Sequence, residues 1–121
     1  MKRILITEDS TTMRSLLVST IDSMESFDIV EAANGFDALR LLPREKIDLI
    51  ITDINMPDIN GLELISYIRN NPQYREIPLF IISTEGSEKD KEKGIALGAN
   101  EYLVKPFKPE HLQELIRKYI G

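Results

Sequence analysis

The chain of 121 residues contains neither cysteine nor tryptophan. Without thiols there are no disulfides, no thiolate metal sites and no sulfur nucleophile. Positive charge is also in deficit: 15 lysines and arginines face 20 acids, a formal net charge of -5, and the basic residues form no cluster. That balance argues against direct nucleic-acid binding and against attraction to an anionic membrane, leaving a protein as the expected partner. Long apolar runs are missing as well. The amino terminus, MKRILITEDS, reaches two acids before the apolar region of a signal peptide can develop. No segment approaches the roughly 18 apolar residues of a bilayer span. A cytoplasmic protein without membrane insertion is expected. Histidine occurs once, as His111 beside Pro109 and Glu110. It reads as an exposed helix residue rather than a phosphoryl carrier.

What is present is an apolar content of 42%, enough for the packed core of one domain. It is arranged regularly. Short apolar runs at Ile4 to Thr7, Ile29 to Ala32, Leu49 to Thr52, Leu79 to Ser83 and Tyr102 to Val104 read as strands. The stretches between them have helical spacing. Met13, Leu16, Leu17, Ile21 and Met24 approximate one buried face, with Ser10, Thr11 and Thr12 as capping residues, and Leu112, Leu115, Ile116 and Tyr119 repeat the pattern at the end. Gly35 to Leu42 and Leu62 to Ile68 read as shorter helices, and Glu88 to Leu97 as a more polar one. Asn34-Gly35, Asn60-Gly61, Asn71-Pro72 and Gly98 punctuate the runs. The order is strand then helix, five times over. Because the first and third strands are continuously apolar, they suit a parallel sheet covered by helices on both faces, an α/β layered domain. With the final helix ending at Ile120-Gly121, the expectation is one domain over residues 1–121 and no output domain.

The acids fall where such a sheet binds ligands. Glu8 and Asp9 follow the first strand and Asp53 follows the third, so all three stand at carboxyl ends of parallel strands. If those strands are neighbours, a spacing of roughly 4.8 Å gathers three carboxylates into one pocket. Like charges raise one another's proton affinity, whereas a divalent cation offsets the repulsion. Magnesium, a hard ion that prefers oxygen, fits better than zinc. Taken singly, each acid reads as a cap or a solvated loop residue. Lys105, at the end of the fifth strand, changes that reading by setting a cation over the pocket, able to pair with Asp53 or with an added phosphoryl oxygen. Ser83, closing the fourth strand, offers a hydroxyl donor.

The motifs that carry this arrangement are ILITED with Glu8-Asp9, TDINMPDINGLE with Asp53, IISTEGS with Ser83, and YLVKPF with Tyr102 and Lys105. In order and spacing the sequence resembles the receiver domains of two-component signalling over essentially its whole length, and most of all the single-domain chemotaxis type. The resemblance implies a doubly wound, flavodoxin-like sheet of order 2-1-3-4-5. It also implies roles. Asp53 corresponds to the phosphoacceptor, Asp9 to the direct magnesium ligand, Glu8 to a partner acid acting largely through water, and Asn55 to a backbone carbonyl ligand. Ser83 and Lys105 correspond to the groups that recognise the phosphoryl oxygens, and Ser83 with Tyr102 to the switch pair, Tyr102 being largely outward at rest. Asn55 and Glu85 flank the route of the hydrolytic water. The implied cofactor is Mg2+, and the implied partners are a phosphohistidine kinase, a downstream target and a phosphatase, with the chain itself a monomer.

Two positions depart from the family pattern. Glu8 stands where aspartate is frequent, and Thr84 where a smaller residue is common, which narrows access to the phosphoryl site. Two other functions share features with this reading. Haloacid dehalogenase phosphatases also use an aspartate nucleophile, but they need an acid two residues further on, where this chain has Asn55. A phosphorelay intermediate would differ only in passing the phosphoryl group to another histidine protein.

Overall fold

Strands buried on both faces must be apolar along their whole length, and the helices that cover them must each supply one apolar stripe. The computed structural model, which describes residues 1–84 and 88–121, follows that rule. Its elements are β1 (Lys2–Thr7), α1 (Thr11–Asp22), β2 (Phe27–Ala32), α2 (Gly35–Leu41), β3 (Leu49–Thr52), α3 (Gly61–Arg69), β4 (Leu79–Ser83), α4 (Glu88–Leu97), β5 (Glu101–Val104) and α5 (Pro109–Ile120). The five strands form one parallel sheet in the order β2-β1-β3-β4-β5, as the resemblance implied.

Alternation along each strand divides the core in two. On one face Ile4, Ile6, Leu49, Ile51, Phe80 and Ile82 pack against Leu17 and Ile21 of α1 and Leu112 and Ile116 of α5. On the other, Leu5, Ile50, Leu79 and Ile81 meet Ala38 of α2 and Leu64, Ile65 and Ile68 of α3. The six apolar side chains of β1 and β3 from Ile4 to Ile6 and Leu49 to Ile51 are wholly inaccessible. Each contributes about 1.5–3 kcal/mol relative to exposure, so these two strands give the sheet a rigid centre. In α4 the single buried residue is Gly94. A Cβ there would stand 2.5 Å from Ile81 Cδ1, so glycine is what lets this polar helix lie against β4.

The Asn-Gly pairs have a different job from simple punctuation. The Asn34 side chain caps α2 by accepting from Asp37 N, and Asn60 forms a capping box with Glu63 at the start of α3. Of the three residues considered as caps for α1, Ser10 is the one that acts, its hydroxyl accepting from Met13 N at 3.3 Å. Met24, included in the first helical stripe, lies beyond the end of α1 but still packs against the α1/α5-side core. Among the described residues no helix is long and apolar enough to cross a membrane.

Candidate functional site

Register brings the acids together. Thr7, the last residue of β1, pairs with Thr52, the last of β3, so the residues that follow leave the sheet side by side. Asp53 N still donates to Thr7 O at 3.1 Å, continuing the ladder by one bond. Consequently Glu8, Asp9 and Asp53 each offer an oxygen within 4.8 Å of the others. Glu8 and Asp53 are buried, at 1% and 7% exposure, whereas Asp9 faces solvent. The loop after β3 is pressed inward to complete the pocket. Gly61 N donates to Ile54 O at 2.9 Å, and a Cβ on Gly61 would fall 2.2 Å from the Asp53 carbonyl oxygen. Only glycine allows that approach.

Burial pushes the Glu8 carboxyl above its ordinary range, and the neighbouring Asp53 charge adds to the rise. Asp53 is likewise pushed up, chiefly by burial and further by Asp9. Donors partly offset this. Ile54 N donates to Asp53 Oδ1 at 2.8 Å, with the Asn55 N–H as a second backbone donor, and Ser10 N donates to Glu8 Oε2 at 3.1 Å. Lys105 Nζ lies 2.6 Å from Glu8 Oε1 and 3.6 Å from Asp53 Oδ2. The lysine was expected over the acid pocket, able to pair with Asp53; it reaches both acids, and its shorter contact is with Glu8. Three carboxylates against one ammonium leave net negative charge in a pocket made of oxygen donors. A hard divalent cation suits that donor set.

The remaining predicted residues differ in burial. Ser83 is fully buried at the end of β4, and its carbonyl accepts from Lys105 N at 2.8 Å, which ties the β4 and β5 ends together. Asn55 is exposed in the loop after β3, and Thr84 is exposed beside Ser83. Tyr102 pairs with Ile81 and packs, half-buried, against the α2/α3-side core, so it is less outward than expected. His111 is exposed on α5. Glu85 lies outside the described residues. One residue escaped the sequence reading: Arg14, in the first turn of α1, donates from Nη1 to Glu8 O at 2.7 Å and from Nε to Glu31 Oε1 at 3.2 Å. An arginine one turn into the helix that follows an acid pair was the available signal.

Comparison with known proteins agrees with this geometry. Residues 4–117 match the response regulator receiver domain family. A chemotaxis protein CheY homolog of Campylobacter jejuni is 36% identical over 120 residues, covering 98% of this chain and 92% of that protein. The structure of the chemotaxis protein CheY4 of Vibrio cholerae superposes with a TM-score of 0.91 at 33% identity, with 99% of both chains covered. The receiver domain of the sensor histidine kinase PA1611 of Pseudomonas aeruginosa, solved with a magnesium ion in its active-site cleft, gives 0.90 at 28% identity, covering 99% of this chain and 98% of the other. Receiver domains are signalling switches rather than enzymes that turn over an external substrate. A parallel sheet in the order β2-β1-β3-β4-β5, acids converging at the ends of β1 and β3 and a match spanning nearly the whole sequence together make this chain a member of the response regulator receiver domain family.

Proposed function

We propose that the chain is a phosphorylation-activated switch that accepts a phosphoryl group from a phosphohistidine kinase on Asp53 and then engages a downstream protein. The observation that carries this reading is the convergence of Glu8, Asp9 and Asp53 with Lys105 Nζ 3.6 Å from the Asp53 carboxylate. Asp9 and Asp53, with the Asn55 carbonyl and with Glu8 through water, would hold a magnesium ion, which supplies positive charge for the phosphoryl oxygens.

The protein's own groups do the rest. An Asp53 carboxylate oxygen attacks phosphorus, the phosphorus–nitrogen bond to the donor imidazole breaks, and the imidazole departs. Lys105 shifts from Glu8 toward a phosphoryl oxygen, and the Ser83 hydroxyl donates to another. Inward movement of Ser83 then shifts the balance of Tyr102 rotamers, altering the surface of α4, β5 and α5 on which the target docks. The chemotaxis relatives from Campylobacter jejuni and Vibrio cholerae favour a role in chemotaxis or motility control, and the proposal takes the chain to act as a cytoplasmic monomer. Intact-protein mass spectrometry after incubation with acetyl phosphate and magnesium tests the assignment. One added phosphoryl group is expected on the wild type and none on Asp53→Asn; equal modification of both proteins would move the acceptor elsewhere.

A further inference from the structure

Glu8 is held at every polar atom. Its N–H donates to Ala32 O of β2 at 3.1 Å, its carboxylate accepts from Ser10 N and Lys105, and its carbonyl oxygen accepts from Arg14 Nη1 at 2.7 Å. Asp9 is the opposite case. Its carboxylate is exposed and makes no hydrogen bond among the described residues, so none of their side chains sets its direction. What sets it is the backbone. The Glu8 carbonyl and the Asp9 N–H belong to one planar peptide group, so fixing that oxygen fixes the plane from which the Asp9 Cα departs.

Arg14 is built for that task. Its side chain is 19% exposed, and the guanidinium spans the ends of two strands, with Nη1 on the carbonyl after β1 and Nε on the Glu31 carboxylate of β2 at 3.2 Å. A planar fork held at both points resists rotation, as a single flexible ammonium does not. We infer that Arg14 is a positioning residue for the metal site: it clamps the Glu8–Asp9 peptide against Glu31 and so aims the Asp9 carboxylate at the space it shares with Asp53. The inference rests on the reading of Glu8, Asp9 and Asp53 as the magnesium site.

Charge and positioning predict opposite signs, which makes the clamp testable. Arg14 is a cation beside a site for a dication, so removing it should tighten magnesium binding if only its charge mattered. Loss of the clamp should instead weaken binding. Arg14→Met keeps the aliphatic stem and a similar helix propensity. Calorimetric titration of the full chain with magnesium chloride, at a temperature where circular dichroism shows each variant folded, should give Arg14→Met about tenfold weaker affinity than wild type. Arg14→Lys, which keeps the charge but not the fork, should be about threefold weaker. The magnesium-induced shift of the Asp9 carboxyl carbon in NMR spectra should shrink in the same order. Equal or tighter binding by Arg14→Met would overturn the clamp. Should that variant fail to fold, unchanged affinity in Arg14→Lys would overturn it alone. If the wild type itself bound no magnesium, the metal-site reading would fall and take the clamp with it, whereas normal wild-type binding with unaltered variants would remove the clamp only.

Discussion

The two ends of the sheet handle charge in opposite ways. At the amino end, Arg69 donates to the carbonyl oxygens of Gly98, Arg75 and Ile77 and to Asn100 Oδ1, at 2.7–3.1 Å. Asn100 and Leu79 exchange two further bonds of 2.8 Å, and Arg3 pairs with Glu45 at 2.9 Å while its N–H meets Asp48. Arg3 there meets countercharge, and Arg69, held below its ordinary range by burial, meets four oxygen acceptors. At the carboxyl end, three acids converge and one ammonium pairs with two of them, those two carboxyls are pushed above their ordinary range, and the buried Thr7 hydroxyl has no partner among the described residues. The same apolar strands support both ends. The amino end therefore adds satisfied bonds to the apolar core, and the carboxyl end is left short of positive charge, a deficit that a divalent cation can offset.

Breaking the amino end should have the larger effect on stability. Arg69→Met leaves the part-buried Gly98 and Ile77 carbonyls without this donor and removes four bonds from a charged group, so urea unfolding should show a loss of about 3 kcal/mol. At a temperature where the variant is still folded, its phosphorylation should match wild type. A loss of phosphorylation without loss of stability would mean that the two ends are not separable in this way.

The carboxyl end should respond in the other direction. Glu8 and Asp53 have folded values raised above their ordinary 4.5 and 3.8, so the folded state binds their protons more tightly than the unfolded chain does. Their contribution to stability is therefore greatest below those ordinary values and falls as pH rises through the raised ones. In chelator, Asp53→Asn should flatten part of this decline and gain about 1 kcal/mol at neutral pH, a stability-for-function exchange. Saturating magnesium should stabilise the wild type and not the variant. Urea unfolding across pH, with chelator or magnesium, measures all three; a variant less stable than wild type in chelator would show that the Lys105 contacts outweigh burial.

How much of this was legible beforehand depends on whether a signal was local. The strands from Leu49 to Thr52 and Leu79 to Ser83 were read to the residue, because continuous burial writes itself as continuous apolar sequence. The acid cluster was legible because strand ends are visible and parallel registry does the rest. Strand order followed from resemblance, since nothing in periodicity says that β1 lies between β2 and β3. Partner choice was not legible either. That Lys105 lies nearer Glu8 than Asp53, or that Arg14 reaches backward over two strand ends, depends on side-chain reach across the sheet. The Asn-Gly pairs were seen but assigned to turns, because a cap and a turn draw on the same residues.

The finest test of the contrast compares two threonines that are direct neighbours. Thr7 and Thr52 pair across β1 and β3, and both are fully buried. The Thr52 hydroxyl donates to Asp53 O at 3.0 Å, while the Thr7 hydroxyl has no partner among the described residues. Valine keeps the β-branched shape and strand preference of threonine and removes only the polar atom. Thr52→Val should thus cost about 1 kcal/mol, the net worth of one hydrogen bond. Thr7→Val should gain roughly as much, since it relieves a buried polar group that was desolvated without compensation. Opposite signs in urea unfolding, with magnesium affinity unchanged for Thr7→Val, would locate part of the carboxyl end's deficit at one oxygen atom. Destabilisation by both substitutions would mean that the Thr7 hydroxyl is satisfied in solution by a bound water, and that this end of the sheet is short of charge but not of hydrogen bonds.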